Sequence, residues 1–148
     1  MRLALDEALK ALERSDVPIG AIAVRNGGII GRGYNARERD QDPTAHAEMT
    51  ALREAAHAVG HWRLEGVTLY CTLEPCAMCA GAMVLARLPR LVYATTDPKA
   101  GAGGSIMNIL QHPQLNHQVE IHSGLMAEEA ASYLRAFFAV LRADGQRH

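Results

Sequence analysis

Two short segments carry side chains whose types and spacing can do chemistry: His46-Ala47-Glu48 and Pro75-Cys76-Ala77-Met78-Cys79. Cys76 and Cys79 stand three residues apart, so on a helix their sulfurs share one face. Pro75 is favoured in a helix's first turn, and a helix start favours the thiolate form of both cysteines. Two thiolates and one imidazole make a donor set for zinc, a borderline-soft ion that takes nitrogen and sulfur in tetrahedral geometry. Structural zinc sites are closed by four protein ligands; three donors leave a corner for water, as catalytic sites do. The two thiolates cancel the ion's charge, yet water lying directly on the cation still loses a proton near neutral pH. Glu48, two residues from the imidazole, is placed to shuttle that proton.

This convergence sets a condition on the backbone. At ~100° per residue, side chains two apart on a regular helix point to nearly opposite sides. His46 and Glu48 meet only if His46 sits at the very start of its helix, and Thr44, read as the N-cap, puts it there. His57 shares His46's face but lies about 16 Å further along the axis, too far to hold the same ion. Cys-x-x-Cys alone also fits a redox pair or two buried thiols. The upstream His-x-Glu favours the metal, because the two motifs together form the pattern of zinc-dependent nucleobase deaminases. Cys71, at the end of an expected strand, is either a small core residue or the fourth ligand of a closed site. Met78, Met83 and Val84 read as core, and the remaining histidines as surface or loop residues.

The elements that must position these groups follow from periodicity and punctuation. Residues 2–14 carry Leu5, Ala8, Leu9 and Leu12 at helical spacing. Residues 18–25 read as a strand, Asn26-Gly27-Gly28 as a turn, and residues 29–35 as the hairpin partner. A polar loop, ARERDQDP, leads to a helix from about Thr44 through Ala58. Strands are expected at 67–72, 91–95 and 119–123, a mainly apolar helix at 76–87, and a glycine-rich loop at DPKAGAGGS. A closing helix over 127–142 turns Leu134, Phe137, Phe138 and Leu141 inward. A hairpin followed by alternating helices and strands implies an α/β fold, a mixed sheet covered on both faces.

Composition bounds the rest. A chain of 148 residues is one domain's worth, 1–148, and folding buries roughly 68–70% of its unfolded surface. With 15 Lys+Arg against 16 Asp+Glu, any polyanion must meet a local patch rather than a generally basic surface. Seven aromatics (two Phe, one Trp, four Tyr) are too few for a platform stacking successive bases. No apolar run approaches the ~18 residues of a membrane span, and acids interrupt MRLALDEALK where a signal peptide needs an apolar stretch. Three cysteines make no disulfide framework, so a cytosolic protein is expected.

DPTAHAEM (42–49), TLEPCAMCAGAM (72–83), DPKAGAGGS (97–105) and Leu115-Asn116-His117 together resemble the bacterial tRNA adenosine deaminases, and the likeness runs over almost the whole chain. The resemblance implies the cytidine-deaminase-like fold, a three-layer α/β/α sandwich around a five-stranded mixed sheet, and a homodimer. It implies hydrolytic conversion of adenosine to inosine at the wobble position of a tRNA anticodon, presented as an extruded loop nucleotide. On the same ground His46, Cys76 and Cys79 hold one Zn2+ per chain, and Glu48 moves a proton from water to N1. Asn35 contacts the flipped nucleotide, and Asp97, Lys99, His112 and Asn116 stand in loops lining the nucleotide and RNA groove. The chain begins inside its first helix and stops at ADGQRH without the longer basic tail of some members, which bears on RNA affinity rather than catalysis. Arg32, Arg37, Arg39, Arg135, Arg142 and Arg147 are the candidate phosphate contacts. Two other functions compete: a deaminase of a free base or nucleotide of guanine or cytosine type, and a non-catalytic zinc module that binds RNA or a protein partner.

Overall fold

A computed structural model of the chain describes residues 1–145; Arg147 and His148 lie outside the described residues. The chain order is α1 (Arg2–Glu13), β1 (Gly20–Arg25), β2 (Gly28–Tyr34), α2 (Arg37–Asp40), α3 (Ala47–Val59), β3 (Val67–Leu73), α4 (Ala77–Leu85), β4 (Arg90–Thr95), β5 (Glu120–Ser123) and α5 (Ala127–Ala143). The strands form one five-stranded sheet in the order β2-β1-β3-β4-β5. β1 pairs antiparallel with β2 and β3, whereas β3, β4 and β5 run parallel. The sheet is therefore mixed. Asn26 and Gly27 both take positive φ, 52° and 76°, as a two-residue hairpin turn between right-twisting strands requires.

Helices cover both faces. On one, α3 and α4 pack Ala47, Ala51, Ala55, Ala80 and Met83 against Ala21, Ala23, Leu69, Leu91 and Tyr93 of the sheet. On the other, Leu5 of α1 and Ala130 of α5 meet Ala94 of β4, and Phe137 and Leu141 of α5 enclose Val17. Leu134 and Phe138 pack at the edge of that cluster.

Glycines set how closely two helices approach. A Cβ on Gly20 would lie 2.0 Å from the Ala4 carbonyl oxygen, and one on Gly33 would lie 2.1 Å from that of Ala47. The close contact at Gly20 explains a difference from the periodicity reading of α1. Its buried face is Ala4, Leu5, Glu7, Ala8 and Ala11, while Leu9 and Leu12 are 36% and 40% exposed. Backbone packed on a bare strand leaves room for alanines, not leucines.

Three local expectations are corrected. The polar loop contains the short helix α2, whose first N–H groups are taken up by Asp16. Thr44 is not the cap of α3: its N–H and hydroxyl both donate to Asp42 Oδ1 at 2.8 Å, which holds it in a turn, and His46 is the N-cap. Pro75 lies one residue before the N-cap of α4, which is Cys76, and so stands outside the helix.

Candidate active site

The parallel strands β3 and β4 end on the same edge of the sheet, beside the N-termini of α3 and α4. The carboxyl ends of parallel strands are where open α/β sheets bind ligands. His46 and Cys76 are both N-cap residues with extended backbone, φ −87° and ψ 149° for His46, φ −74° and ψ 177° for Cys76. An N-cap is not bound to helical side-chain directions, so His46 turns its imidazole toward the face on which Glu48 lies. Two helix starts converge there, and their partial positive charge favours anionic sulfur.

His46 Nδ1 lies 3.6 Å from Cys76 Sγ and 3.5 Å from Cys79 Sγ. The three donor atoms all fall within 4.8 Å of one another, and this is the group of potential metal ligands among the described residues. Cys71 is fully buried in the core between sheet and α3 and is not part of it. Cys79 Sγ also stands 3.6 Å from Glu48 Oε2. Glu48 is itself only 4% exposed, and burial pushes its carboxyl above the usual range.

The two sulfurs share their proton unequally. Donation from the Cys79 thiol, supported by His46, holds Cys76 down at about 3. The adjacent Cys76 sulfur and burial push Cys79 well above the usual thiol range. The same contact with Cys76 raises His46. Of the two sulfurs, Cys76 is therefore the one that favours the thiolate form. A metal ion would complete the deprotonation.

Beside the cluster opens a cavity of about 460 Å3, whose lining includes His46 and Glu48, Asn35 and Arg37, Asp97 and Lys99, and Leu134 and Phe138 of α5. Its size falls in the range of small-molecule sites, roughly 300–1,000 Å3. The structure thus places Asn35, Asp97 and Lys99 on the cavity wall. His112 and Asn116 lie outside that lining, on the exposed segment before β5. There His112 Nδ1 accepts the Gln114 N–H at 3.2 Å, and His117 Nε2 donates to the Leu88 carbonyl at 2.6 Å. Of the arginines, Arg37 lines the cavity; Arg32 faces Glu7 at 3.6 Å, Arg39 engages Asp40 and Tyr34, and Arg135 pairs with Glu128.

Sequence reasoning missed two buried carboxylates that hold this wall in place. Glu74, 1% exposed, accepts the N–H groups of Asp97 and Gly103 at 3.0 Å and of Ser105 at 3.1 Å, together with the Ser105 hydroxyl. The glycine loop wraps this side chain closely: a Cβ on Gly101 would lie 2.3 Å from Glu74 Oε2. The signal was a carboxylate in an apolar run directly before Pro75. Asp16, fully buried, takes the amide of Asn35, and nothing in its sequence neighbourhood marks it.

Comparisons with known proteins agree with this architecture. The profile of the MafB19-like deaminase family matches residues 1–142. A tRNA-specific adenosine deaminase of Bacillus subtilis (strain 168) is 54% identical over 142 residues, 96% of this chain and 88% of that protein. One of Agrobacterium fabrum is 46% identical over 97% of this chain and 95% of its own. A solved structure from work on A-to-I editing by tRNA:A34 deaminases at the wobble position superposes with a TM-score of 0.86 at 46% identity, covering 90% of this chain and 97% of that one. A guanine deaminase from Nitrosomonas europaea, 23% identical with a TM-score of 0.80 over 93% of this chain and 82% of that one, shares the fold. Full-length identity near one half, carried on this geometry, makes the chain a member of the tRNA-specific adenosine deaminase family.

Proposed function

We propose that this protein is a zinc-dependent hydrolase that converts adenosine to inosine at the wobble position of a tRNA anticodon. The observation that carries the reading is the Glu48 carboxylate, buried beside a three-donor cluster at the wall of a cavity large enough for a base. Zinc suits the donors: bonds of ~2.3 Å to sulfur and ~2.0–2.1 Å to nitrogen at tetrahedral angles put the two atoms about 3.6 Å apart. His46 Nδ1 stands 3.6 and 3.5 Å from the two sulfurs. When bound, the ion supplies the acidity that makes water a nucleophile near neutral pH.

The remaining work falls to the chain. Glu48 accepts the proton that water gives up and delivers it to adenine N1, and burial, by raising the carboxyl, favours the first of these transfers. Water adds at C6, the 6-amino group leaves as ammonia, and one water is consumed for each inosine formed. Asn35 and Asp97 hold the nucleotide, while Leu134 and Phe138 supply an apolar wall that keeps bulk water out. Lys99 and Arg37 meet phosphates at the mouth. His112 and Asn116 contact RNA beyond the reacting nucleotide.

An anticodon loop presents its base unpaired, so little stacking is lost on extrusion. Two copies assemble through α4, which is apolar along its length and leaves Leu85 70% exposed. With tRNA as substrate and no helix among the described residues long and apolar enough to cross a membrane, we read the protein as cytoplasmic. The test is inosine formation on an anticodon stem-loop, assayed beside free guanine, cytidine and adenosine. Turnover of a free base with none of the stem-loop would overturn the tRNA reading in favour of a base deaminase.

A further inference from the structure

Three carboxylates are almost or wholly withdrawn from solvent outside the sulfur–imidazole cluster: Glu7, Asp16 and Glu74. Glu7 pairs with Lys10 at 2.8 Å, and Glu74 pins the glycine loop. Asp16 does something different. Its Oδ2 accepts the N–H groups of Glu38 and Arg39 at 3.0 and 3.1 Å. Its Oδ1 accepts the Val17 N–H and Asn35 Nδ2, both at 3.1 Å. The same Asn35 nitrogen lies 3.5 Å from the Val17 carbonyl oxygen. Both neighbours of that nitrogen are acceptors only, so the amide cannot turn over without setting oxygen against oxygen. Its own oxygen accepts nothing from the described residues, is not sealed from solvent, and belongs to a side chain on the cavity wall.

An acceptor fixed in a binding cavity asks for a donor on the ligand. Adenosine inside an RNA strand has few. N1, N3 and N7 are acceptors, and the 3′ and 5′ oxygens are esterified. The 6-amino group is the one that leaves, so it sits at the metal cluster. The ribose 2′-hydroxyl remains.

Resting on the function given above, we propose that Asp16 is a positioning residue that locks the Asn35 amide oxygen toward the cavity, where it reads the 2′-hydroxyl of the reacting nucleotide and selects RNA over DNA. The 2′-hydroxyl is the group by which a protein tells the two apart at a single site.

The experiment uses two anticodon stem-loops, identical except for adenosine or 2′-deoxyadenosine at the reacting position. The wild-type protein favours the ribose form by about tenfold in kcat/KM, the scale of one neutral hydrogen bond. Asp16→Ala removes both oxygens and leaves Asn35 Nδ2 only the Val17 carbonyl oxygen at 3.5 Å, so the amide is free to flip. The ribose preference then falls to within about twofold, with metal content and pH profile unchanged. Asn35→Ala loses the preference equally, and the double variant loses no more, whereas an independent structural role for Asp16 would add to it.

If Asp16→Ala does not fold, Asp16→Ser takes its place, while Asn35→Ala tests the 2′-hydroxyl contact itself. A preference that survives in either folded variant, or that is absent from the wild type, overturns the inference while leaving the deaminase reading intact. A wild-type protein that makes no inosine from either stem-loop overturns that reading, and the inference with it.

Discussion

Glu48 is the side chain whose replacement separates chemistry from metal binding. Glu48→Gln keeps the shape but cannot take up a proton, so kcat should fall about 10²–10⁴-fold while metal content stays near one ion per chain. Stopped turnover with parallel metal analysis checks it; undiminished kcat removes the proton-shuttle role. Protonation of the donors makes a second expectation. Cys79 and His46 both hold a proton more tightly than usual, so an ion competes with protons for these donors. Zinc affinity should fall as pH falls, by about tenfold per unit for each proton displaced, as chelator competition between pH 6 and 8 would read. The clustering of His46, Cys76 and Cys79 beside Glu48 was legible in advance, because Cys-x-x-Cys and His-x-Glu fix donor type and spacing. What stayed hidden was the pair of buried carboxylates behind the cavity wall. Glu74 lies 29 residues from Gly103, and Asp16 lies 19 from Asn35; no local spacing rule connects such partners.

Among the elements, α3 carries the most consequence, because it brings His46 and Glu48 to the site and rests directly on strand backbone. Gly33→Ala would set a methyl 2.1 Å from the Ala47 carbonyl oxygen, one residue from His46. The helix start must shift, at a cost of about 1–3 kcal/mol, and metal affinity should drop with it; chemical denaturation and a zinc titration measure the two. The glycine loop tests differently. Burial pushes the Glu74 carboxyl up, but the Ser105 hydroxyl and the N–H groups of Asp97, Ser105 and Gly103 outweigh it and hold the group below the ordinary value of 4.5. A depressed carboxylate stabilises the fold fully above the unfolded value and loses that contribution as pH falls through the folded one. Glu74→Gln should therefore be less stable than wild type at neutral pH, with the difference closing below about pH 4.5 in melts run from pH 3 to 7. Element types were readable from periodicity. Helix starts were not, since Asp42 captures Thr44 through a side-chain bond that competes with capping.

For the molecule as a whole, an ion held by His46, Cys76 and Cys79 would tie the starts of α3 and α4 together. Removing it should lower Tm by several degrees, as loss of any ligand that binds only the folded state does, and calorimetry with and without a chelator measures the shift. The alternation of helices and strands already implied a mixed sheet with two covered faces, but α1's inward row was misread because Gly20 admits the helix backbone itself. Chain order also has a consequence in time. The ligands are complete at Cys79 and the glycine loop at Ser105, yet Leu134 and Phe138 come from the last helix. A nascent chain thus holds all three ligands before it has the two apolar side chains that close the cavity.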